Sequence, residues 1–343
     1  MKDRPADTLP PDAPDSPALE ASGLGIRHRT EWVLRGCDLR VPRGRIAALV
    51  GPNGDGKSSL LALASGLRRP DEGTLRVLGG RPGSREVLPH VGVLLQDRPL
   101  HAAFTVAETL RLGRELNPRW DQALALAVLA DTDVPLDAKV GRLSGGQRTC
   151  VALALVLAKR PALLLLDEPM ADLDPLRRHT VTARLMATVA EHGTTVIMSS
   201  HSLAELDLIC DYVLLLAHGR LLVADDTEFV QAAHTWVTHT LPDARAAGPG
   251  GPAASAHLRG HTVVESRTTG RQLSALLQLP TSRGDAQSAE PPTLEEILLA
   301  YLRNPQAPPL LAPAPTTPAP APTAPADGGP PGAPRPGDRA GEA

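Results

Sequence analysis

The chain has 343 residues, 42% of them hydrophobic and only 2% aromatic, with a formal net charge of -3. That length supports a substantial core, and the near-neutral balance gives no broad electrostatic attraction to nucleic acid or anionic lipid. Cys37, Cys150 and Cys210 are odd in number and widely spaced, with no CxxC; this argues against a disulfide framework or a zinc site and suits a reducing compartment, with the three read as buried apolar residues.

From Met1 to Leu19 the chain carries Pro and Asp where a secretory signal needs basic residues and then an apolar run. Residues 1–20 are too poor in large apolar groups to offset chain entropy and read as disordered. From Gly23 to about Phe229, short apolar runs alternate with helical stretches, the pattern of an α/β domain with a mostly parallel sheet. Ile46–Val50, Val91–Leu95, Leu163–Leu166 and Thr194–Met198 read as buried strands, each ending at polar or Gly residues. In open α/β sheets ligands bind beyond the carboxyl ends of strands, so those residues are the site candidates. Val106–Leu116 and Asp121–Leu129 are helical runs within a region from about 98 to 158. The apolar stretch Val151–Leu166 is interrupted by Lys159-Arg160-Pro161, so it lacks the roughly 20 apolar residues of a membrane span; no transmembrane segment is expected. Further on, Leu258–Leu279 reads as a hairpin turning near Thr268-Thr269-Gly270, and Thr293–Arg303 as an amphipathic helix capped by Thr293 with Glu296 at its third position. Residues 233–303 form a small accessory region, and residues 304–343, rich in Pro and Ala, read as a disordered tail.

Directly after the Ile46–Val50 run comes Gly51-Pro52-Asn53-Gly54-Asp55-Gly56-Lys57-Ser58, then a helical run from Ser58 to Leu67. This is GxxxxGK[ST], a phosphate-binding loop. Its glycines turn backbone N–H groups inward, the helix N-terminus adds its dipole, Lys57 reaches the β and γ phosphates, and Ser58 offers a hydroxyl to Mg²⁺. Ser59 extends the binding set. The Leu163–Leu166 run ends in Asp167-Glu168, and neighbouring strand residues point opposite ways, so two roles open: Asp167 for the Mg²⁺ shell, Glu168 for the attacking water. About twenty residues earlier, Leu143-Ser144-Gly145-Gly146-Gln147 opens the helical run Arg148–Ala158; by itself this is a Ser-capped helix start with the glycines as a flexible lead-in.

Leu-Ser-Gly-Gly-Gln is nevertheless the signature of the ABC ATPases, and from about Gly23 to Phe229 the chain resembles the ATP-binding subunits of ABC transporters. The resemblance implies a P-loop NTPase of the ABC type: a mostly parallel core sheet, an antiparallel β subdomain and a helical subdomain, spanning residues 21–232. It implies that ATP with Mg²⁺ is sandwiched between two such domains head to tail, in a homodimer or a heterodimer with another ABC ATPase subunit, with Ser144, Gly145, Gly146 and Gln147 meeting the partner's nucleotide. Gln96 looks like the glutamine that touches Mg²⁺ or water and couples to the membrane subunit. His201 looks like the switch histidine that contacts the γ-phosphate and orients Glu168. Asp174 looks like the dimer-coupling aspartate. The segment Phe104–Leu136 corresponds to the helical insertion on which permeases dock.

Three positions depart from the family pattern. The adenine-stacking aromatic falls at His28, with Trp32 as a possible substitute. Asp55 puts a carboxylate in the phosphate loop, which weakens binding unless it points away or takes a cation. Ser-Ala-Leu-Asp appears as Ala171-Asp172-Leu173-Asp174, so the cross-dimer serine is missing. The resemblance implies an ATPase on the cytoplasmic face of the membrane, bound to separate integral-membrane permease subunits and with no nucleic acid partner. The Leu/Glu-rich run Thr293–Leu302 resembles the terminal helix of ABC-2-type exporter ATPases, which points to export. The alternative is a soluble ABC ATPase of DNA repair or translation, disfavoured because the chain has neither long heptads nor a second phosphate loop. A generic P-loop kinase or GTPase has no use for Leu143–Gln147.

Overall fold

A computed structural model describes residues 16–200, 209–240, 258, 260–279 and 292–312. Its centre is a seven-stranded sheet made of β3 (Ile46–Val50), β5 (Val91–Leu94), β6 (Leu163–Leu166), β7 (Thr195–Ser199), β8 (Tyr212–Ala217), β9 (Arg220–Asp226) and β13 (Leu310–Leu311), in the order β13-β9-β8-β3-β7-β6-β5. The four runs expected as strands are neighbours in it and pair in parallel, as does β8 with β3; β9 returns antiparallel to β8.

Because side chains alternate along a strand, each central strand feeds two cores. Ala48, Val50, Leu164, Leu166, Val196 and Met198 join one cluster with the helices, while Ala47, Leu49, Leu163, Leu165 and Ile197 join the other. The second core is closed by α1 (Lys57–Ala64) and by an antiparallel sheet of β1 (Leu19–His28), β2 (Glu31–Val41) and β4 (Glu72–Val77), ordered β2-β1-β4. The first core is closed by α2 (Val106–Leu116), α3 (Gln122–Ala130), α4 (Gly145–Ala158) and α5 (Pro175–His192). The helices α2 and α3 reproduce the expected runs, with starts fixed by side-chain caps: Thr105 with Glu108 as a reciprocal box, and Asp121 accepting from Leu124 N.

The chain continues through α6 (Thr227–Ala232) into a second antiparallel sheet of β10 (His234–Thr240), β11 (Thr262–Thr269) and β12 (Gln272–Gln278), ordered β10-β12-β11, and then α7 (Leu294–Arg303). The expected hairpin and Thr293-capped helix are both present, the latter with the Thr293–Glu296 box. Val264, Leu276, Ile297, Leu298 and Tyr301 belong to the same apolar cluster as Leu164 and Leu166, so the accessory region is packed onto the ATPase core.

Four sequence expectations need correction. The α1 helix stops at Ala64, short of Leu67, because Gly66 takes φ +79° and lies so close to Gly83 that a Cβ there would come within 2.5 Å of it. Gly145 and Gly146 are not a flexible lead-in: the Ser144–Gln147 box winds them into the first turn of α4. Order is found at Ala18 and Leu19, inside the stretch 1–20: Ala18 N donates to Val41 O and Leu19 opens β1. It also persists past 304, because Leu310 is buried against β9, which it pairs with at Val223.

Candidate functional site

The polar ends of β3, β5, β6 and β7 gather at one edge of the sheet, as parallel pairing requires. The β3 strand runs straight into the loop from 51 to 56. Gly51 (φ +152°) passes so close to β8 that a Cβ would sit 2.1 Å from Leu216 O, and Gly56 (φ +101°) is pressed against Leu34 and Val33 O of β2. Pro52, Asn53 and Gly54 are exposed at the rim. Gly56 caps α1 with no side-chain hydrogen bond, so the helix N-terminal amides face the loop's interior, the arrangement that suits phosphate. Lys57 is buried and donates through Nζ to Gly51 O (2.7 Å) and Pro52 O (3.0 Å), which holds its cation inside the curl of the loop. Burial lowers its pKa, against the opposing pull of Glu168, Asp167 and Asp55. Ser58 is exposed and Ser59 half-buried in the first turn of α1.

Asp55 turns aside: its Oδ2 accepts from His218 N (2.9 Å) in the tight β8–β9 turn, where His218 and Gly219 both have positive φ. The carboxylate is thereby engaged by a backbone donor 163 residues away.

At the end of β6, Asp167 is buried and its N–H donates to Leu94 O of β5 (2.8 Å), while Glu168 adopts φ +48°, a left-handed conformation that is uncommon for a residue with a Cβ. That twist carries the chain out of the strand. Ser199, at the end of β7 and fully buried, ties the two acids together: its hydroxyl donates to Asp167 Oδ1 (2.6 Å) and accepts from Glu168 N (2.9 Å). This residue was not among the sequence candidates; the signal available was a serine ending a buried apolar strand two positions before His201. His201 itself lies outside the described residues. Gln96 is exposed immediately beyond β5, beside the strand that bears Asp167. Oxygen donors from Ser58, Gln96 and Asp167 match the preference of Mg²⁺ for hard oxygen ligands, and fixing one Asp167 oxygen on Ser199 orients the other. Among the described residues no group of three or more His, Cys, Asp or Glu forms an all-protein metal cage.

The hairpin β1–β2 separates the two candidates for adenine. Ile26 pairs with Leu34, which faces Gly56 of the phosphate loop, and His28 follows Ile26 on the same face. Trp32 instead pairs with Arg27, whose guanidinium stacks 3.9 Å over its ring, and packs towards Gly25. His28 is exposed at the end of β1, where it pairs with Glu31.

Ser144–Gln147 lies elsewhere. Ser144 Oγ accepts from Gln147 N (3.2 Å) and Gln147 Oε1 accepts from Ser144 N (3.1 Å). Among the described residues no hydrogen bond joins this start of α4 to residues 51–59; its neighbours are Asp172 and Leu173, with a Cβ on Gly146 falling 2.9 Å from Asp172 O. Asp174 caps α5 by accepting from Arg177 N (3.0 Å). All three cysteines are buried free thiols.

This sheet, loop and acid pair define an ATP-binding cassette. The family profile described as ABC transporter matches residues 34–171. The Nod factor export ATP-binding protein I of Rhizobium sp. (strain N33) is 34% identical over 212 residues, covering 60% of this chain and 69% of that protein. The hemin import ATP-binding protein HmuV of Streptomyces coelicolor is 40% identical over 226 residues, covering 62% and 79%. A solved structure described as an ATP-binding subunit of an ABC transporter superposes with a TM-score of 0.58 at 25% identity, covering 62% of this chain and 92% of that one. The chain belongs to the ABC transporter family, as one of its ATP-binding, ATP-hydrolysing subunits. Such subunits work with membrane permease components; among the described residues no helix is long and apolar enough to cross a membrane.

Proposed function

We propose that this chain powers an exporter, closing around MgATP as a dimer with a second ABC ATPase subunit on the cytoplasmic face of the membrane and driving separate permease subunits. The observation that carries the reading is the convergence of the residue 51–58 loop, Asp167 and Glu168 at one sheet edge, with the Ser144–Gln147 helix start free of hydrogen bonds to that loop among the described residues. A donor-rich helix start with no share in its own chain's phosphate loop suits a second chain's nucleotide. In this scheme the ATPase part is 21–232 and the accessory part 233–303.

In the proposed cycle the loop amides and Lys57 hold the phosphates, and His28 flanks the adenine. Ser58, Gln96 and Asp167 hold Mg²⁺, which neutralises phosphate charge. Glu168 accepts a proton from the attacking water, and His201 supports the γ-phosphate. The fixed Asp167–Ser199–Glu168 array leaves little to reorganise when charge develops. Asp174 and the partner's copy of the Ala171–Asp174 loop meet at closure. Support for export comes from the Thr293-capped helix α7 and from relatives whose names denote Nod factor export; import relatives of similar identity leave direction to the test.

The test is affinity capture of the chain from solubilised membranes, with ATPase assay of the complex against its Glu168→Gln counterpart. A stoichiometric polytopic partner and Glu168-dependent hydrolysis are expected. An active protein without a membrane partner would favour a soluble ABC ATPase. For direction, inside-out vesicles carrying the complex, given ATP and cell extract, should accumulate a compound in the lumen only with Glu168 intact; its depletion would mean import.

A further inference from the structure

One ion pair bridges the loop after β5 and the loop before α5: the Arg98 guanidinium donates through Nη1 to Asp172 Oδ2. Arg98 closes a tight turn, its N–H donating to Leu95 O (3.1 Å), so that Gln96 and Asp97 are the turn's two central residues. Arg98 itself is held at φ +42°, and Leu100 N donates back to its carbonyl (2.7 Å). Its side chain is only 11% exposed, and its Nε is buried with no hydrogen-bond partner among the described residues. A cation so stripped of water depends on the carboxylate beside it, and removing that carboxylate strands a buried charge.

The far end of the bridge is more open, with the Asp172 side chain 45% exposed, but its backbone is packed in place. A Cβ on Gly146 would meet Asp172 O at 2.9 Å, and a Cβ on Gly145 would meet the Asp172 carboxylate at 3.6 Å, so Asp172 sits directly on the start of α4. Two residues on, Asp174 caps α5; four residues back, Glu168 O accepts from Ala171 N (3.3 Å).

We propose that the Arg98–Asp172 pair is a positioning strut: it couples the Gln96 turn to the segment that lies between Glu168 and the Ser144–Gln147 helix start, so that closure at that helix start is felt at Gln96. Both residues act through the segments they join: Arg98 through the Gln96 turn and Asp172 through the start of α4. The proposal rests on the function given above, in which Gln96 and Ser144–Gln147 serve the nucleotide.

The test uses full-length Arg98→Gln, Asp172→Asn and the double variant, each checked for folding by circular dichroism, with Glu168→Gln as reference. Each single variant should lower kcat about tenfold while the KM for ATP stays within about twofold, and the double variant should be no worse than either single, the mark of one shared interaction. In the nucleotide-free protein, hydrogen exchange at residues 96–98 should quicken about tenfold in Asp172→Asn, because the turn has lost its anchor. Unchanged kcat, additive losses, or unchanged exchange would overturn the strut. Should a single variant unfold, Asp172→Glu and Arg98→Lys take its place: each keeps the charge pair and should keep kcat within about threefold, and a tenfold loss in either with exchange at residues 96–98 unchanged would overturn the strut. If the parent chain fails to hydrolyse ATP in a Glu168-dependent way, it is the functional reading that fails, and the exchange result still decides whether the pair pins the turn.

Discussion

Replacing Ser199 with Ala removes one oxygen and leaves no cavity of consequence, yet it breaks both bonds that unite the acid pair. The hydroxyl donates to an ionisable, buried carboxylate at 2.6 Å, and such charged hydrogen bonds contribute about 1.5–3 kcal/mol. Losing the acceptor for Glu168 N strands a backbone donor and adds about 1 kcal/mol. Water cannot step in, since Ser199 is fully buried. The variant should therefore unfold in urea with stability lower by about 2–4 kcal/mol and an unchanged slope. With Asp167 and Glu168 no longer held in register, kcat for ATP should fall about tenfold to a hundredfold, while ATP affinity, set mainly by the residue 51–58 loop, changes little. The assays are equilibrium unfolding, steady-state ATPase and binding of a fluorescent ATP analogue. A stability loss below about 0.5 kcal/mol together with unchanged turnover would refute the claim that Ser199 organises the site.

Three further predictions concern adenine and pH. His28→Ala should weaken ATP binding about fivefold to tenfold through lost stacking, whereas Trp32→Ala should leave it nearly unchanged and cost stability through lost packing with Arg27; the reverse ranking in a binding titration would place Trp32 at the nucleotide. Burial raises the pKa of Cys37, Cys150 and Cys210, the last from the ordinary 9.0 to about 12. The folded state thus holds protons that the unfolded state releases, so this contribution to stability is complete below pH about 9 and is lost as pH rises from there. Urea midpoints measured from pH 7 to 10.5 should fall beyond that point, and a thiol reagent at pH 8 should label all three cysteines only in denaturant; rapid labelling of the native chain would contradict their burial. On the acid side, His234 donates from Nδ1 to Val230 O and accepts at Nε2 from Tyr301, and burial lowers its pKa. Its stabilisation is present above the unfolded value of 6.5 and lost as pH falls below it, a slope that His234→Gln should flatten.

The strands that form the site were readable because each is a short apolar run ended by Gly or an acid, and once β3, β5, β6 and β7 are parallel their ends must gather. The phosphate loop, the acid pair and the helix start were likewise legible, since their chemistry depends on local spacing. What escaped the sequence depends on chain segments far apart. Asp55 reads in sequence as a liability beside phosphate, and the donor that holds it, His218 N, lies in the β8–β9 turn. Ser199 could be read as a polar strand end, but its partners come from β6. Arg98 and Asp172 are unremarkable singly and meet only because β5 and β6 are adjacent. The strand Leu310–Leu311 carries no pattern of its own within a Pro-rich stretch; it forms because β9 offers an open edge. The helix α5 and the strands β8 and β9 carry local signals of their own, an Asp174-Pro175 start and a His218-Gly219 turn.

The most direct measurement is gel filtration of Glu168→Gln and of Glu168→Gln/Ser144→Arg with and without MgATP. The account predicts that MgATP converts the first from monomer to a stable dimer, while the second binds nucleotide with the same affinity and stays monomeric. Dimerisation of both, or of neither with ATP bound, would contradict a nucleotide sandwiched between the residue 51–58 loop of one chain and the Ser144–Gln147 helix start of the other.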